Sequence, residues 1–149
     1  MDNTDRVLLN VKGLKKYFPI TKGLLRKEVG QIKALDDVDL QINEGETLGL
    51  AGESGCGKTT AGRVILRMLE PTAGEILFHT DNGAVDLSKM DGKGLKPFRR
   101  QMAMIFQDPA SSLNPRLTVK EIVGDPLIVH KVARGRELED TVANLLELV

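Results

Sequence analysis

One stretch, Gly52-Glu53-Ser54-Gly55-Cys56-Gly57-Lys58-Thr59-Thr60, constrains this chain more than any other. It fits the pattern G-x-x-x-x-G-K-[ST], in which a glycine-rich loop wraps an anion in backbone N–H groups. Gly52, Gly55 and Gly57 permit backbone angles that a Cβ would forbid, so successive N–H groups can converge on one point. The Lys58 ammonium then reaches the β- and γ-phosphates of a nucleotide as a compact charge. The Thr59 hydroxyl offers oxygen to Mg²⁺, a hard ion. The four fixed positions would coincide by accident in roughly one chain of this length in a hundred or fewer, and the flanks argue against accident. Thr47-Leu48-Gly49-Leu50-Ala51 is a short apolar run suited to a buried parallel strand. Beyond the loop, Ala61, Val64, Ile65, Met68 and Leu69 recur at helical spacing until Pro71. A helix there aims its N-terminal dipole at the same anion, so all nine residues of the stretch are expected to line a nucleotide site.

Composition narrows the rest. The 149 residues suffice for one domain with a core. Lys+Arg and Asp+Glu are 21 each, so no global field favours nucleic acid, and no nucleic-acid partner is expected. The single cysteine, Cys56, rules out an internal disulfide and fits a reducing compartment. Inside the loop its backbone matters first; a redox-sensing thiol is the second reading. The first six residues are polar, without an apolar segment of signal-peptide type, and no run of 18 apolar residues occurs. Any membrane role is therefore expected to go through a partner.

In chain order, Val7-Leu8-Leu9-Asn10-Val11 reads as a strand, and residues 32–42 alternate as a half-exposed antiparallel strand does. Residues 19–31 between them are long for a hairpin and read as a surface loop, with a partner-binding arm as the alternative. Tyr17, the only tyrosine, can pack against Phe18 or offer its ring to a flat base. Asn43-Glu44-Gly45-Glu46 is a turn. Glu75-Ile76-Leu77-Phe78 is a short strand that Asp81-Asn82-Gly83 turns into a hairpin with Ala84-Val85. Leu95, Phe98 and Met102 mark one face of a helix over 93–102, with Arg99 and Arg100 on a solvated side. Met102-Ala103-Met104-Ile105-Phe106 is a second buried strand, ended by Pro109. Ligands of open α/β sheets sit beyond the carboxyl ends of the strands, so the Gln107 amide could reach Mg²⁺ or a water; it could equally cap a turn. Thr118-Val119-Lys120-Glu121 is a capping box opening a helix that Gly124-Asp125-Pro126 should break. Leu138, Val142, Leu145, Leu146 and Val149 form an apolar stripe with no cap after it, so a truncated chain is expected.

Several stretches recur as a set: Lys15-Lys16-Tyr17-Phe18-Pro19, Gly45-Glu46-Thr47-Leu48-Gly49-Leu50, the glycine loop, Glu70-Pro71-Thr72-Ala73-Gly74-Glu75-Ile76, and Ile105-Phe106-Gln107-Asp108-Pro109 running on to Ser111-Ser112-Leu113-Asn114-Pro115-Arg116. Together they resemble the N-terminal part of an ATP-binding subunit of an ABC transporter, nearest to the oligopeptide and dipeptide importer group. The resemblance implies an α/β fold: a P-loop NTPase core with an N-terminal antiparallel β subdomain over 1–115 and the start of a helical subdomain over 116–149. It implies ATP and Mg²⁺ as cofactors. Tyr17 falls at the family's A-loop aromatic, so adenine stacking becomes its expected role. Gln107 falls at the Q-loop glutamine, which binds Mg²⁺ with Thr59, positions the attacking water and, with Lys58, counts as catalytic. The implied partners are transmembrane permease subunits, a second ATPase subunit and, indirectly, an extracytoplasmic solute-binding protein. The implied location is the cytoplasmic face of the cell membrane.

Departures qualify this. Thr59-Thr60 stands where the family carries Ser-Thr, and either hydroxyl can serve Mg²⁺. Residues 79–90 look like a surface insertion. The chain contains no Leu-Ser-Gly-Gly-Gln and no apolar strand ending in Asp-Glu, and His79 and His130, read as surface residues, precede the place of a switch histidine. The 149 residues are thus expected to bind ATP-Mg and hydrolyse it negligibly, the parent protein coupling hydrolysis to import of peptides or related small solutes. A non-hydrolysing short interaction module and another P-loop enzyme such as a kinase are the alternatives.

Overall fold

The computed structural model describes residues 6–23, 27–107 and 113–149. Arg26, Asp108, Pro109, Ser111 and Ser112 lie outside the described residues. The chain divides into two compact units, Met1–Met102 and Ala103–Val149.

The first unit is built on an antiparallel sheet of β1 (Val7–Lys22), β2 (Lys27–Asn43), β3 (Ala73–Thr80) and β4 (Gly83–Asp86), in the order β2-β1-β3-β4. Alternation buries Leu9 and Val11 of β1 and Ile76 and Phe78 of β3 on one face. A register shift between Val11 and Leu14 turns Leu14 to the same core, which Val64 of helix α1 (Lys58–Ile65) and Leu87 complete. Phe78 meets Phe98 edge-on, ring centroids 6.1 Å apart. The expected turns hold: Glu46 N–H donates to the Asn43 carbonyl at 3.2 Å, and Thr80 pairs with Gly83 across Asp81-Asn82.

The stretch at 70–76 acquires a structural reason. Thr72 N–H donates to the Lys15 carbonyl at 2.7 Å, and its hydroxyl accepts from Tyr17 N–H at 2.9 Å. Gly74 has φ +100, and a Cβ there would lie 2.5 Å from the Gly13 carbonyl oxygen, so only glycine lets this turn close onto β1.

Several expectations are corrected. Residues 19–31 are no loose excursion: β1 and β2 continue as a two-stranded ribbon, with Pro19 opposite Gln31 and Lys22 opposite Lys27. Pro19 is tolerated because β3 pairs with β1 only as far as Lys15, leaving that edge without a ladder. α1 ends at Ile65 rather than running to Leu69; Arg67 takes φ +54 and turns inward, its guanidinium donating to the Leu87 and Met90 carbonyls, each at 2.9 Å. Residues 93–102 form turns and one 3-10 turn (Phe98–Arg100) instead of an α-helix, although Leu95 is buried and Phe98 and Met102 pack on the core as the pattern required. Residues 79–90 are not merely surface, since Leu87 is fully buried. His79 and His130 are half-buried.

The two apolar runs expected as parallel strands are not strands. Residues 47–51 and 103–106 carry no strand pairing, and Leu48, Leu50 and Ile105 are exposed. A strand exists only through ladder bonds to at least one neighbour, and among the described residues nothing pairs with either run.

In the second unit, α2 (Val119–Val129) starts at the expected capping box: Glu121 N–H donates to the Thr118 hydroxyl, and the Glu121 carboxylate accepts from Thr118 N–H at 2.7 Å. It then runs through Pro126 instead of breaking there. The ring fixes φ in the helical range and forfeits one ladder bond, while later carbonyls stay in use, Pro126 accepting from His130 N–H at 3.0 Å. α3 (Gly135–Glu147) packs Leu138 against Gly124, 3.5 Å from where a Cβ would stand, and buries Val142.

Candidate nucleotide site

The glycine loop has the conformation its sequence demands. Gly52, Gly55 and Gly57 have φ of +156, +83 and +99. Gly57 is the tightest: a Cβ there would sit 2.4 Å from the Ala34 carbonyl oxygen, so the loop rests directly on β2. Gly57 is also the N-cap of α1, and its carbonyl accepts the first helical bond from Ala61 N–H at 2.8 Å. No side chain caps that end. The leading N–H groups of α1 are therefore left for an anion.

Lys58 folds back over the loop. Its ammonium donates to the Gly52 and Glu53 carbonyls, each at 2.7 Å, with the Cys56 sulfur at 3.5 Å. These acceptors are neutral, so the charge of Lys58 is held in place without being cancelled. Phosphate oxygens can replace carbonyl acceptors at a gain, because they add an opposite charge to a bond whose acceptor was neutral. Thr59 is exposed and Thr60 half-buried. Among the described residues no group of three His, Cys, Asp or Glu could hold a metal. A threonine hydroxyl is the kind of oxygen a hard ion such as Mg²⁺ accepts beside substrate phosphates and waters. The backbone cradle and the ammonium of the loop fit a phosphate anion.

Tyr17 lies half-buried on β1, opposite Lys33. Its hydroxyl donates to Asp36 Oδ1, and Lys33 Nζ stands over the ring, 5.3 Å from the centroid. The hydrogen bond to a carboxylate holds the phenol above the usual tyrosine range and Asp36 below the usual carboxylate range. Tyr17 is joined to the loop through the sheet: Lys16 pairs with Leu35 and Tyr17 with Lys33, on either side of the Ala34 whose carbonyl abuts Gly57. The structure thus brings Tyr17 and the loop onto one stretch of β2. Gln107 is exposed at a bend and belongs to the second unit. Sequence reasoning missed Asp36 and Lys33. Their three-residue spacing carries no signal until the hairpin register sets both beside Tyr17.

Residues 35–149 match the family model described as ABC transporter. The chain belongs to the ABC transporter family. Several of the relatives it matches are peptide-transport proteins by name, and another is the glutathione import ATP-binding protein GsiA of Pectobacterium atrosepticum. The chain is 44% identical over 143 residues to the oligopeptide transport ATP-binding protein AppF of Bacillus subtilis, covering 95% of this chain and 42% of that protein. It is 47% identical over 143 residues to OppF of the same organism, covering 95% and 44%. To the dipeptide transport ATP-binding protein DppF of Haemophilus influenzae it is 42% identical over 142 residues, covering 95% and 42%. The chain thus spans less than half the length of these relatives. Its fold is similar to the ATP-binding cassette MJ0796, solved as a dimer in a post-hydrolysis state with ADP and Pi, at TM-score 0.71 and 29% identity, covering 94% of this chain and 56% of that one. The expected α/β P-loop NTPase fold and the likeness to peptide-importer subunits are both borne out.

Proposed function

We propose that this chain is the ATP-binding part of an ABC importer subunit whose whole protein hydrolyses ATP to drive uptake of peptides or related small solutes. The observation that carries the reading is the loop: an uncancelled ammonium over a glycine cradle, docked on β2 and opening an uncapped helix. Support for the solute class comes from the relatives' names, since AppF and OppF are oligopeptide and DppF dipeptide transport proteins.

In this reading Gly52, Glu53, Ser54, Gly55, Cys56 and Gly57 present backbone to the phosphates, and Lys58 bridges their outer oxygens. Thr59, with Thr60 in support, would offer Mg²⁺ a hydroxyl, and the metal would neutralise phosphate charge when bound; the Gln107 amide is a further oxygen donor of the kind Mg²⁺ takes. Gln107 also orients the attacking water, and Tyr17 stacks the adenine. Residues 1–115 form the core and β subdomain, and 116–149 open the helical one. The whole protein pairs with a second ATPase subunit, works with transmembrane permease subunits and, through them, an extracytoplasmic solute-binding protein, and sits at the cytoplasmic membrane face. No helix among the described residues is long and apolar enough to cross a membrane.

Calorimetric titration of ATP-Mg into the chain and into Lys58→Ala tests this. The substitution should weaken binding at least about tenfold, the loss of one charge-assisted contact, with the ligand-free melting curve unchanged. Equal affinities would overturn the reading.

A further inference from the structure

We propose that Asp36 and Lys33 are positioning residues for the adenine platform, clamping the Tyr17 ring at its hydroxyl and on one face so that a base stacks on the opposite face. The inference rests on the nucleotide reading above and deepens it.

Three contacts close a ring of groups. The Tyr17 hydroxyl donates to Asp36 Oδ1, Lys33 Nζ donates to Asp36 Oδ2 at 3.0 Å, and the same Nζ stands 5.3 Å from the centroid of the Tyr17 ring. Each carboxylate oxygen serves one partner, so Asp36 ties phenol and ammonium into one arrangement. A half-exposed tyrosine otherwise turns among rotamers, and a base finds the right one only part of the time. Holding the ring removes that loss. The ammonium also stands over one face, attracted by the ring's electron density, so a stacked base would take the other.

The backbone is shaped for this. In a regular strand, residues three apart point to opposite faces, so Lys33 and Asp36 would not share a partner. Here the register shifts between Lys16, paired with Leu35, and Tyr17, paired with Lys33. The extra residue there is Ala34. A second shift follows between Lys16 and Leu14, which pairs with Val38, and there Asp37 takes φ +63. The two together bring Asp36 round to the Tyr17 side. Ala34 is also the residue whose carbonyl meets Gly57. The irregularity at Ala34 seats the glycine loop and, with the shift that follows it, completes the clamp, coupling the base platform to the phosphate cradle. Tyr17 N–H, held by the Thr72 hydroxyl at 2.9 Å, fixes the backbone beneath the ring.

The test is a binding cycle read with two ligands, ATP and inorganic triphosphate, on the full chain. Tyr17→Phe keeps the ring and loses the hydroxyl; Asp36→Ala loses its acceptor. Each should weaken ATP about threefold to fivefold, the cost of ordering one freed side chain, and leave triphosphate unchanged. The double variant should bind ATP no more weakly than either single one, and Asp36→Glu should recover part of the loss. Lys33→Met should weaken ATP about twofold; tighter binding would overturn its part. This tyrosine is the only one and there is no tryptophan, so ultraviolet titration reports Tyr17 alone. Asp36→Ala should bring the phenol down, because the bond that raises it is lost while the charges of Lys33 and Lys15, which pull it down, remain. Multiplying single effects, or equal loss for both ligands, would overturn the proposal. Tyr17→Ala separates the two failures. If it binds ATP as well as the parent chain, the stacking reading is wrong. If it selectively loses ATP while Asp36→Ala and Tyr17→Phe do not, stacking stands and the clamp falls.

Discussion

β3 and the run at 47–51 begin from similar sequence, short apolar stretches bounded by turns, and end differently. β3 is paired by β1 on one edge and β4 on the other, and its Ile76 is fully buried. Residues 47–51 pair with no described residue, and Leu50 is 48% exposed. The difference lies in where the partners come from. β4 follows β3 through the two-residue turn Asp81-Asn82, and the β1/β2 hairpin is likewise local. A parallel strand draws its neighbours through crossovers of a dozen or more residues. Apolar composition supplies the tendency to be buried, and partners decide whether a strand exists. The glycine loop therefore takes its shape from its other side: α1, the contact of Gly57 with Ala34, and the Lys58 bonds to Gly52 and Glu53.

The largest effect separates these two runs. Ile76→Ala should cost about 2–5 kcal/mol, the usual range for a buried aliphatic truncated in a packed core. Leu50→Ala in the same chain should cost less than about 1 kcal/mol. Urea denaturation of both variants at equal slope checks this; similar costs would mean that 47–51 is packed in solution. The next effect tests the polar end of the sheet. Asp86 accepts from Ser88 N–H at 3.0 Å, from the Ser88 hydroxyl at 2.6 Å and from Lys89 at 2.8 Å. Burial pushes its carboxyl up, but these donors, with Ile76 N–H, outweigh it and bring it from 3.8 to about 2. A depressed carboxylate stabilises the fold above its unfolded value, and that stability is lost as pH falls from about 4 to about 2. Asp86→Asn should therefore destabilise by about 1–2 kcal/mol at neutral pH, and the gap to the parent chain should narrow in acid. Asp36, Glu121 and Glu139 are depressed too, but they are common to both proteins and cancel. A gap of the same size at both pH values would show that Asp86 acts through shape rather than charge.

Features encoded within a few residues were legible before any coordinates. The Asp81-Asn82-Gly83 turn, the Thr118–Glu121 capping box and the glycine loop are each complete in a short window, and all appear as read. What failed depended on context. Pro19 and Gly30 look like loop residues, yet an unladdered edge accepts the first, and the Ile20 side chain packs 3.8 Å from where the second would carry a Cβ. Pro126 looks like a helix end, but Gly124 sits where α3 packs closely and the helix continues. Arg67 sits where the apolar spacing still read helix, and its turn is visible only through the carbonyls it reaches, 20 and 23 residues away. The glycine loop was readable at the site, whereas the clamp on Tyr17 was not, because Asp36 reaches it only through a register irregularity.

The smallest effect probes the ribbon, where strand pairing exists without a core beneath it. Lys22 and Lys27 face each other at its far end, both exposed. Like charges directly opposite on paired strands destabilise, and opposite charges stabilise by roughly 0.2–1 kcal/mol. Lys22→Glu should therefore strengthen the ribbon, and added salt should erase the gain because the pair is solvent-screened. Global melting is a poor reporter, since opening the ribbon end uncovers no buried side chain among the described residues. Amide exchange is the right one: protection along 19–31 should rise in low salt while that around Ile76 stays fixed. No change along 19–31 would mean that the ribbon end is not paired in solution, and pairing in this chain would then follow the core.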